Sequence, residues 1–579
     1  MTDRFRTEWD TAPNPTFDIW TVTNGGEVIP GVLRPLVAST FNRQDHRSMI
    51  DLMGAYPTGH HVTVYEPPVG NFFGIFAGRI ALNVGFTAAA MSVLDPQIAE
   101  AMLQQFFTGA GGTERFIVHV TDEERAPVLA IAEAQRAAAP ADLAARQTVL
   151  YAERASDQAR KDRELGLEDA QKRNQILTAE SVADVNVHYV VSTAAGEWQV
   201  KLAGVLMMCG QDPGTVIALC SGLGEVESAK PAIALFDLAQ TAKQHPAVVS
   251  ALRTATTAEV LANIHSPSDG PDAPQWLAFA SAFSEFLHRY GFRVQGEVDV
   301  SNADWSEQPA FVISQVRSML AVPASESPRE QVAKASMGRE AVEHSIRASL
   351  PADMAPIFDS VLSQAQHYTR LREMSKATWV LGVRRMRPTY LAICDGVAAQ
   401  MGISADDVNF LLLDEVDDVV SGGQMPDAAE RVARRRAQWD EAHLHVLPDV
   451  WVGEPSTEPL GAAPDITELT GLPVSPGDGQ PVRGTARIVP DVQAAMEREI
   501  EVGDILIAPF TDTPWTPLFI PAGAVVVETG GVLSHAATVA REFGIPCVVM
   551  VKDATRIIHD GDTVEVNGVS GQVTIISRG

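Results

Sequence analysis

Thr529-Gly-Gly-Val-Leu-Ser-His535-Ala-Ala-Thr-Val-Ala-Arg541-Glu-Phe-Gly-Ile-Pro546 says more about this chain than any other segment. It follows an apolar run, Ala524-Val-Val-Val527, that reads as a short buried strand, and it leads into a second, Cys547-Val-Val-Met-Val551. Between the runs the spacing of apolar residues is helical. The result is strand, glycine turn, helix and strand, with one histidine where the helix begins. Backbone N–H groups of a first helical turn lack intrahelical partners, and the helix dipole adds partial positive charge there. A histidine at that point can carry a phosphoryl group whose oxygens the backbone stabilises. Gly530 and Gly531 would let the main chain approach such a group closely, Ser534 stands where a cap belongs, and Pro546 limits the helix. An isolated Ser-His pair is usually no more than a cap and its neighbour; the whole string points to chemistry at His535.

Composition sets the frame. A chain of 579 residues predicts two to four domains and ample core. It has 46% hydrophobic and 20% charged residues, as soluble globular proteins do. Asp and Glu number 73 against 44 Lys and Arg, a net charge of −29. That opposes binding to nucleic acid, which needs cationic neutralisation of phosphates, and docking on anionic membranes. Phosphorylated ligands must be held by local Arg and Lys. Cys209, Cys220, Cys394 and Cys547 are scattered and lack metal-ligand spacing, so no metal site is expected and a reducing, cytoplasmic setting fits. The first ten residues hold no apolar signal core, and no span of about 18 apolar residues occurs.

The expected fold class is multidomain α+β. Residues 1–120 read as mixed α/β, with Gly, Pro and aromatic strand-like runs around Phe72, Phe73 and Phe76; they form the N-terminal part of an acceptor-binding domain. Residues 121–445 read as the helical body of that domain. Ala-rich sequence over 125–182 favours long helices, and Trp276, Phe279, Phe283, Phe286, Leu287 and Tyr290 recur at three- and four-residue steps, a core-packing stripe. Residues 446–472 are rich in Pro and Gly and read as a linker. Residues 473–579 follow as a small β/β/α module that the linker leaves free to move. It closes on a hairpin, Val564-Glu-Val566, an Asn567-Gly568 turn and Gln572 to Ile576.

Three further segments hold groups suited to chemistry. Trp20 to Leu36 has turn residues that fix polar groups, including Asn24 and Glu27. Arg289 to Asp299, continuing through Trp305-Ser-Glu307-Gln-Pro309, puts Arg293, Glu297 and Asp299 on a loop at a helix end. In Arg370-Leu-Arg372-Glu373-Met-Ser-Lys376, the cations Arg372 and Lys376 lie one helical turn apart with Glu373 adjacent. Two cations beside a carboxylate can bind a phosphoryl group while the carboxylate accepts a hydroxyl proton. Singly, such segments are usually solvated ion-paired faces and ordinary turns.

Taken with the histidine string, they resemble a known set. Gly-Gly, Ser-His-Ala-Ala, Ala-Arg-Glu and Gly-Ile-Pro in register are similar to the phosphohistidine signature of the PEP-utilising enzyme family, in which a swivelling domain shuttles phosphate between distant sites. Thr538 departs from that signature, which usually has an aliphatic residue there. The three segments resemble the acceptor-binding region of rifampin phosphotransferase and PEP-synthase-like proteins, with Asp304 standing where those often have Arg. The resemblance is loose over residues 15–445 and close over 473–579. It implies a catalytic set of His535, Arg372, Glu373 and Lys376. It also implies phosphate stabilisation by Thr529, Gly530, Gly531, Ser534 and Arg541, and acceptor binding by Asn24, Glu27, Arg293, Glu297, Asp299 and Trp305. Because the acceptor motif starts by residue 20, the ATP-grasp domain that precedes it in rifampin phosphotransferase is expected on a separate partner subunit. ATP and Mg²⁺ would be held there. With 44 residues after His535, no C-terminal β/α barrel of about 250 residues is expected. Phenylphosphate synthase and related alkylphenol-phosphorylating enzymes have this two-component arrangement, so the implied acceptor is a phenol or similar small hydrophobic alcohol. A larger hydroxylated compound such as a rifamycin-like antibiotic, or a noncatalytic regulatory relative, are the other readings.

Overall fold

The structure is a computed structural model that describes residues 4–23, 29–106, 113–224, 226–266, 270–323, 327–491, 494, 500–532 and 534–579. Its architecture is multidomain α+β, as the sequence predicts. In chain order, the elements that build or flank the site are β1 (Ile19–Thr21), α1 (Pro35–Gly54), β2 (Phe73–Phe76), β3 (Arg79–Asn83), α2 (Asp122–Arg154), α3 (Leu167–Met208), α4 (Lys230–Lys243), α5 (Ala273–Tyr290), α6 (Pro328–Ser349) and α7 (Ala355–Arg384). They continue with β4 (Val450–Val452), β5 (Glu468–Thr470), β6 (Leu472–Ser475), β7 (Val482–Ile488), β8 (Ile505–Ala508), β9 (Ala524–Val527), α8 (His535–Phe543), β10 (Cys547–Val549), β11 (Thr563–Asn567) and β12 (Gln572–Ser577). Among the described residues no helix is long and apolar enough to cross a membrane.

The chain divides into two compact units. The first comprises Met1–Val200, Val298–Ser301 and Ser375–Ala462. Its antiparallel sheet runs β2-β3-β1-β4. Ala77 and Gly78, both at positive φ, turn β2 into β3, and the Asp10 carboxylate accepts both of their N–H groups at 2.8 Å. Helix α2 starts on a capping box between Thr121 and Glu124, and the Ala-rich stretch forms α2 and much of α3, as its composition predicts. The expected linker is not free chain. Val450–Val452 adds to the sheet beside β1, with Trp451 opposite Trp20 and buried against Phe76. The alternation Val-Trp-Val makes a half-buried strand, and the surrounding Pro and Gly punctuate it.

The second unit comprises Lys201–Glu297, Asn302–Met374 and Ala463–Gly579. It holds an eight-stranded sheet of order β5-β12-β11-β7-β8-β9-β10-β6, in which β7 to β10 run parallel and the flanking pairs antiparallel. Strands β8 (Ile-Leu-Ile-Ala) and β9 (Ala-Val-Val-Val) are buried throughout and show no polar alternation, because both faces of a parallel sheet are covered. On one face Ile505, Ile507, Val526 and Val548 pack with Val564, Val566 and Val573. On the other, Leu506, Val525 and Val527 join Ala537, Val539 and Phe543 of α8, and this core continues into Phe236 of α4 and Phe279 and Phe283 of α5. Each fully buried Val, Leu or Phe there stabilises the unit by roughly 1.5–3 kcal/mol. The sequence makes this module free to move on a linker; here its α8 face is packed against helices of its own unit. The closing hairpin also differs from expectation. Its loop is Gly568 to Gly571, because the Asn567 side chain accepts the N–H groups of Val569 and Ser570 at 2.9 and 3.0 Å.

Candidate active site

Helix α8 is positioned by its own ends. Ser534 is extended (φ −63°, ψ 162°) and its Oγ accepts the Ala537 N–H at 3.2 Å; Gly544 (φ 64°) closes the other end in the left-handed region. The turn that enters it is tied to the exit of β8: Glu528 N donates to the Ala508 carbonyl at 3.1 Å, and Thr529 N and Oγ1 donate to that of Pro509 at 3.1 and 2.9 Å. Gly530, at φ 132°, has a backbone that other residues rarely adopt. His535, at the head of α8, is 8% exposed. Its Nε2 lies 3.1 Å from Thr516 Oγ1, its Nδ1 3.3 Å from Thr511 Oγ1, and Phe519 meets it edge-on with ring centres 6.2 Å apart. Thr511 and Thr516 belong to Thr511-Asp-Thr-Pro-Trp-Thr516, which leaves the carboxyl end of β8. Sequence reasoning missed this segment. Its signal was a hydroxyl-rich turn at the carboxyl ends of parallel strands, where such sheets place their ligands.

Three residues expected to stabilise phosphate are otherwise engaged. Thr529 spends its hydroxyl on Pro509, and Ser534 caps Ala537. Arg541 donates Nε and Nη1 to the carbonyls of Val474 and Val532, each at 2.7 Å, so it shapes the loop before His535. Burial pulls the Arg541 guanidinium down to about 10, and its Nη2 is buried with no partner among the described residues. Gly531 keeps the open approach expected of it, since an added Cβ would meet nothing within 4 Å. Beside Arg541, the buried Glu542 accepts the Leu223 N–H at 3.1 Å through Oε1. Burial first, and then the charge of Glu373, push its carboxyl up to about 7.

Arg372, Glu373 and Lys376 lie together on α7, with Glu373 buried. The charges of Arg372 and Glu373 are felt by Arg541 and Glu542 in the last turn of α8. The division between the units falls at Met374/Ser375, so Lys376 belongs to the first. Arg293 and Glu297 form an ion pair at 2.5 Å, both about 3% exposed, and Glu297 Oε2 is buried with no partner among the described residues. Gly296, at φ 65°, donates its N–H to Asp512 at 2.7 Å. The structure thus brings the Arg293–Glu297 segment to the loop that holds the His535 ring. Two expected acceptor residues go elsewhere. Asp299, in the first unit, accepts the Ser301 N–H at 2.8 Å while its carbonyl takes Arg384 Nη1 at 2.7 Å. Trp305 is a core residue, 3% exposed and stacked on Phe286, because its indole completes the aromatic stripe of α5. Asn24 and Glu27 lie outside the described residues.

Residues 500–571 match the family described as PEP-utilising enzyme, mobile domain, and residues 188–373 match the rifampicin phosphotransferase fourth domain. A rifampicin phosphotransferase of Streptomyces sviceus is 30% identical over 356 residues, 60% of this chain and 39% of that protein. One from Bacillus cereus is 25% identical over 358 residues, 59% and 39% of the two chains. The prodigiosin synthesizing transferase PigC of Serratia marcescens is 28% identical over 383 residues, 64% and 41%. The chain therefore spans about two fifths of the length of these relatives.

The segment that matches the mobile domain carries His535, and the segment that matches the fourth domain carries Arg293, Glu297, Arg372 and Glu373. Chemically, this is an imidazole at a helix N-terminus, shielded from water, in one unit with a buried carboxylate and several guanidinium groups. Among the described residues no group of three or more His, Cys, Asp or Glu stands in metal-binding geometry.

Proposed function

We propose that the chain is the phosphohistidine-carrying subunit of an ATP-dependent phosphotransferase. His535 takes up a phosphoryl group and passes it to the hydroxyl of a small hydrophobic, phenolic acceptor. ATP is cleaved on a separate ATP-grasp subunit, which supplies the nucleotide site and its Mg²⁺. The overall reaction is ATP + acceptor-OH + water to acceptor phosphate + AMP + phosphate. The observation that carries this reading is His535 at the capped N-terminus of α8, inside the segment that matches the mobile domain. The positive end of the α8 dipole stabilises the phosphoryl oxygens on the ring. Glu373 accepts the acceptor's hydroxyl proton, Arg372 and Lys376 offset the phosphoryl charge, and Arg293 with Glu297 orients the acceptor. Aromatic residues of the acceptor region suit an apolar ligand.

The names of the relatives favour a second reading. Proteins named for rifampicin match 59–60% of this chain, so a larger hydroxylated compound of the rifamycin type is the alternative acceptor. One experiment addresses both. The chain is incubated with ATP labelled at the β-phosphate, alone and with the candidate ATP-grasp partner. The expected result is acid-labile label on the wild-type chain only with the partner, and none on His535→Ala with an unchanged melting temperature. Label on His535→Ala overturns the reading, and label without the partner overturns the two-subunit scheme. Discharge of the labelled chain by phenols, or by rifampicin, then decides the acceptor; no label under any condition leaves the noncatalytic relative.

A further inference from the structure

Thr516 has one hydroxyl proton and two neighbours placed to share it. Its Oγ1 lies 3.1 Å from the Ser228 carbonyl oxygen and 3.1 Å from His535 Nε2. A carbonyl oxygen only accepts, so the Thr516 proton goes to Ser228 and Oγ1 is left to accept from the ring. His535 Nε2 therefore carries a hydrogen. Nδ1, 3.3 Å from Thr511 Oγ1, is then the lone-pair nitrogen of the neutral ring and accepts from that hydroxyl. Ser228, Thr511, Thr516 and His535 are all buried, so bulk water does not compete for these bonds. Ser228 precedes α4 and Thr516 follows β8, and both belong to the second unit.

We propose that the Ser228 carbonyl, acting through Thr516, holds unphosphorylated His535 as its Nε2–H tautomer, so that the docked helix takes a phosphoryl group on that nitrogen more slowly than a free ring would. The inference rests on the phosphohistidine reading above. In the charged ring Nε2 is bonded to phosphorus and Nδ1 has its lone pair. Transfer breaks the P–Nε2 bond, whose electron pair stays on Nε2, and forms a P–O bond to the acceptor oxygen. The acceptor's O–H bond breaks, and its proton ends on Nε2. Nδ1 neither gains nor loses a proton, so its bond to Thr511 is kept throughout. The product ring is the tautomer that Thr516 and Ser228 hold. To be charged again, Nε2 must shed its proton and expose its lone pair. Thr516 can donate to that lone pair only when Ser228 no longer takes its proton, that is, when the helix has left the docked position. Ser228 and Thr516 are thus positioning residues that set the tautomer of the ring.

The test uses the full chain labelled with [15N]histidine. Two-bond proton–nitrogen correlations at pH 8, where free imidazole is neutral, report which nitrogen of His535 is protonated; His535→Gln identifies its signals. The expected result is a protonated Nε2 in the wild type. Thr516→Val should shift the tautomer ratio toward Nδ1–H by about threefold to tenfold, the range one net hydrogen bond supports, and Thr516→Ser should restore it. Charging by phosphoramidate, a donor that needs no partner, should rise in Thr516→Val by a similar factor. A protonated Nδ1 in the wild type overturns the lock. So does a ratio or a charging rate that Thr516→Val leaves unchanged. If Thr516→Val fails to fold, the wild-type tautomer decides alone. Because the tautomer is read without any phosphoryl donor, a failed lock is distinguishable from a failed phosphohistidine.

Discussion

Glu542 shows how much a single buried group on the helix that His535 begins can weigh. Its carboxyl is pushed from the usual carboxylate range up to about 7, chiefly by burial. The folded state therefore holds its proton more tightly than the unfolded chain does. The stability this contributes is fully present below about pH 4.5 and is lost as pH rises through about 7. Glu542→Gln, which keeps an acceptor for the Leu223 N–H, should stabilise the chain at pH 8 by up to about 3 kcal/mol and do little at pH 5. Thermal unfolding at both pH values checks this, and equal effects at the two would refute it. At this scale legibility follows locality. Ser534 and His535 could be read from the sequence because helix-start chemistry is written in consecutive residues. Thr516 and Ser228, 288 positions apart, could not, because only tertiary packing brings them together. Trp305 was misread for a related reason: a tryptophan in a loop motif looks the same whether it faces a ligand or the core.

Among the elements, the loop at Gly222 decides how the helix is received. Gly222 has φ 58°, and a Cβ there would lie 2.5 Å from the backbone of Ala335 in α6. Its carbonyl accepts from Ser336 Oγ at 2.7 Å and Arg339 Nη1 at 3.1 Å, which fixes the next residue, Leu223, with its N–H on Glu542. Gly222→Ala combines left-handed strain with a backbone clash and should cost about 2–4 kcal/mol, measured by urea unfolding. An unchanged midpoint would show that the loop yields. Strands β8 and β9 were legible because uninterrupted apolar runs between turns are what buried parallel strands require. The stretch 446–472 was not, because Pro and Gly mark the turns between short strands as readily as they mark a linker.

For the whole molecule, the α+β class follows from composition and periodicity. The two units do not, since each gathers three stretches of chain and the cuts at Val200/Lys201 and Met374/Ser375 fall within continuous helices. Sequence patterns record local preference; which faces share a core is settled by packing. That shared core predicts the exchange behaviour of the second unit. In the uncharged chain α8 amides should exchange slowly, and charging with phosphoramidate should speed exchange in α8 and around Ser228 as the lock opens. Identical protection before and after charging would count against it. The 8% exposure of His535 has one more consequence, for any group the ring would carry. A ring packed this closely is shut to water and to a phosphoryl donor alike, so in the proposed cycle both charging and wasteful hydrolysis fall in the intervals when the helix is undocked. The fidelity of coupling then depends on how brief those intervals are.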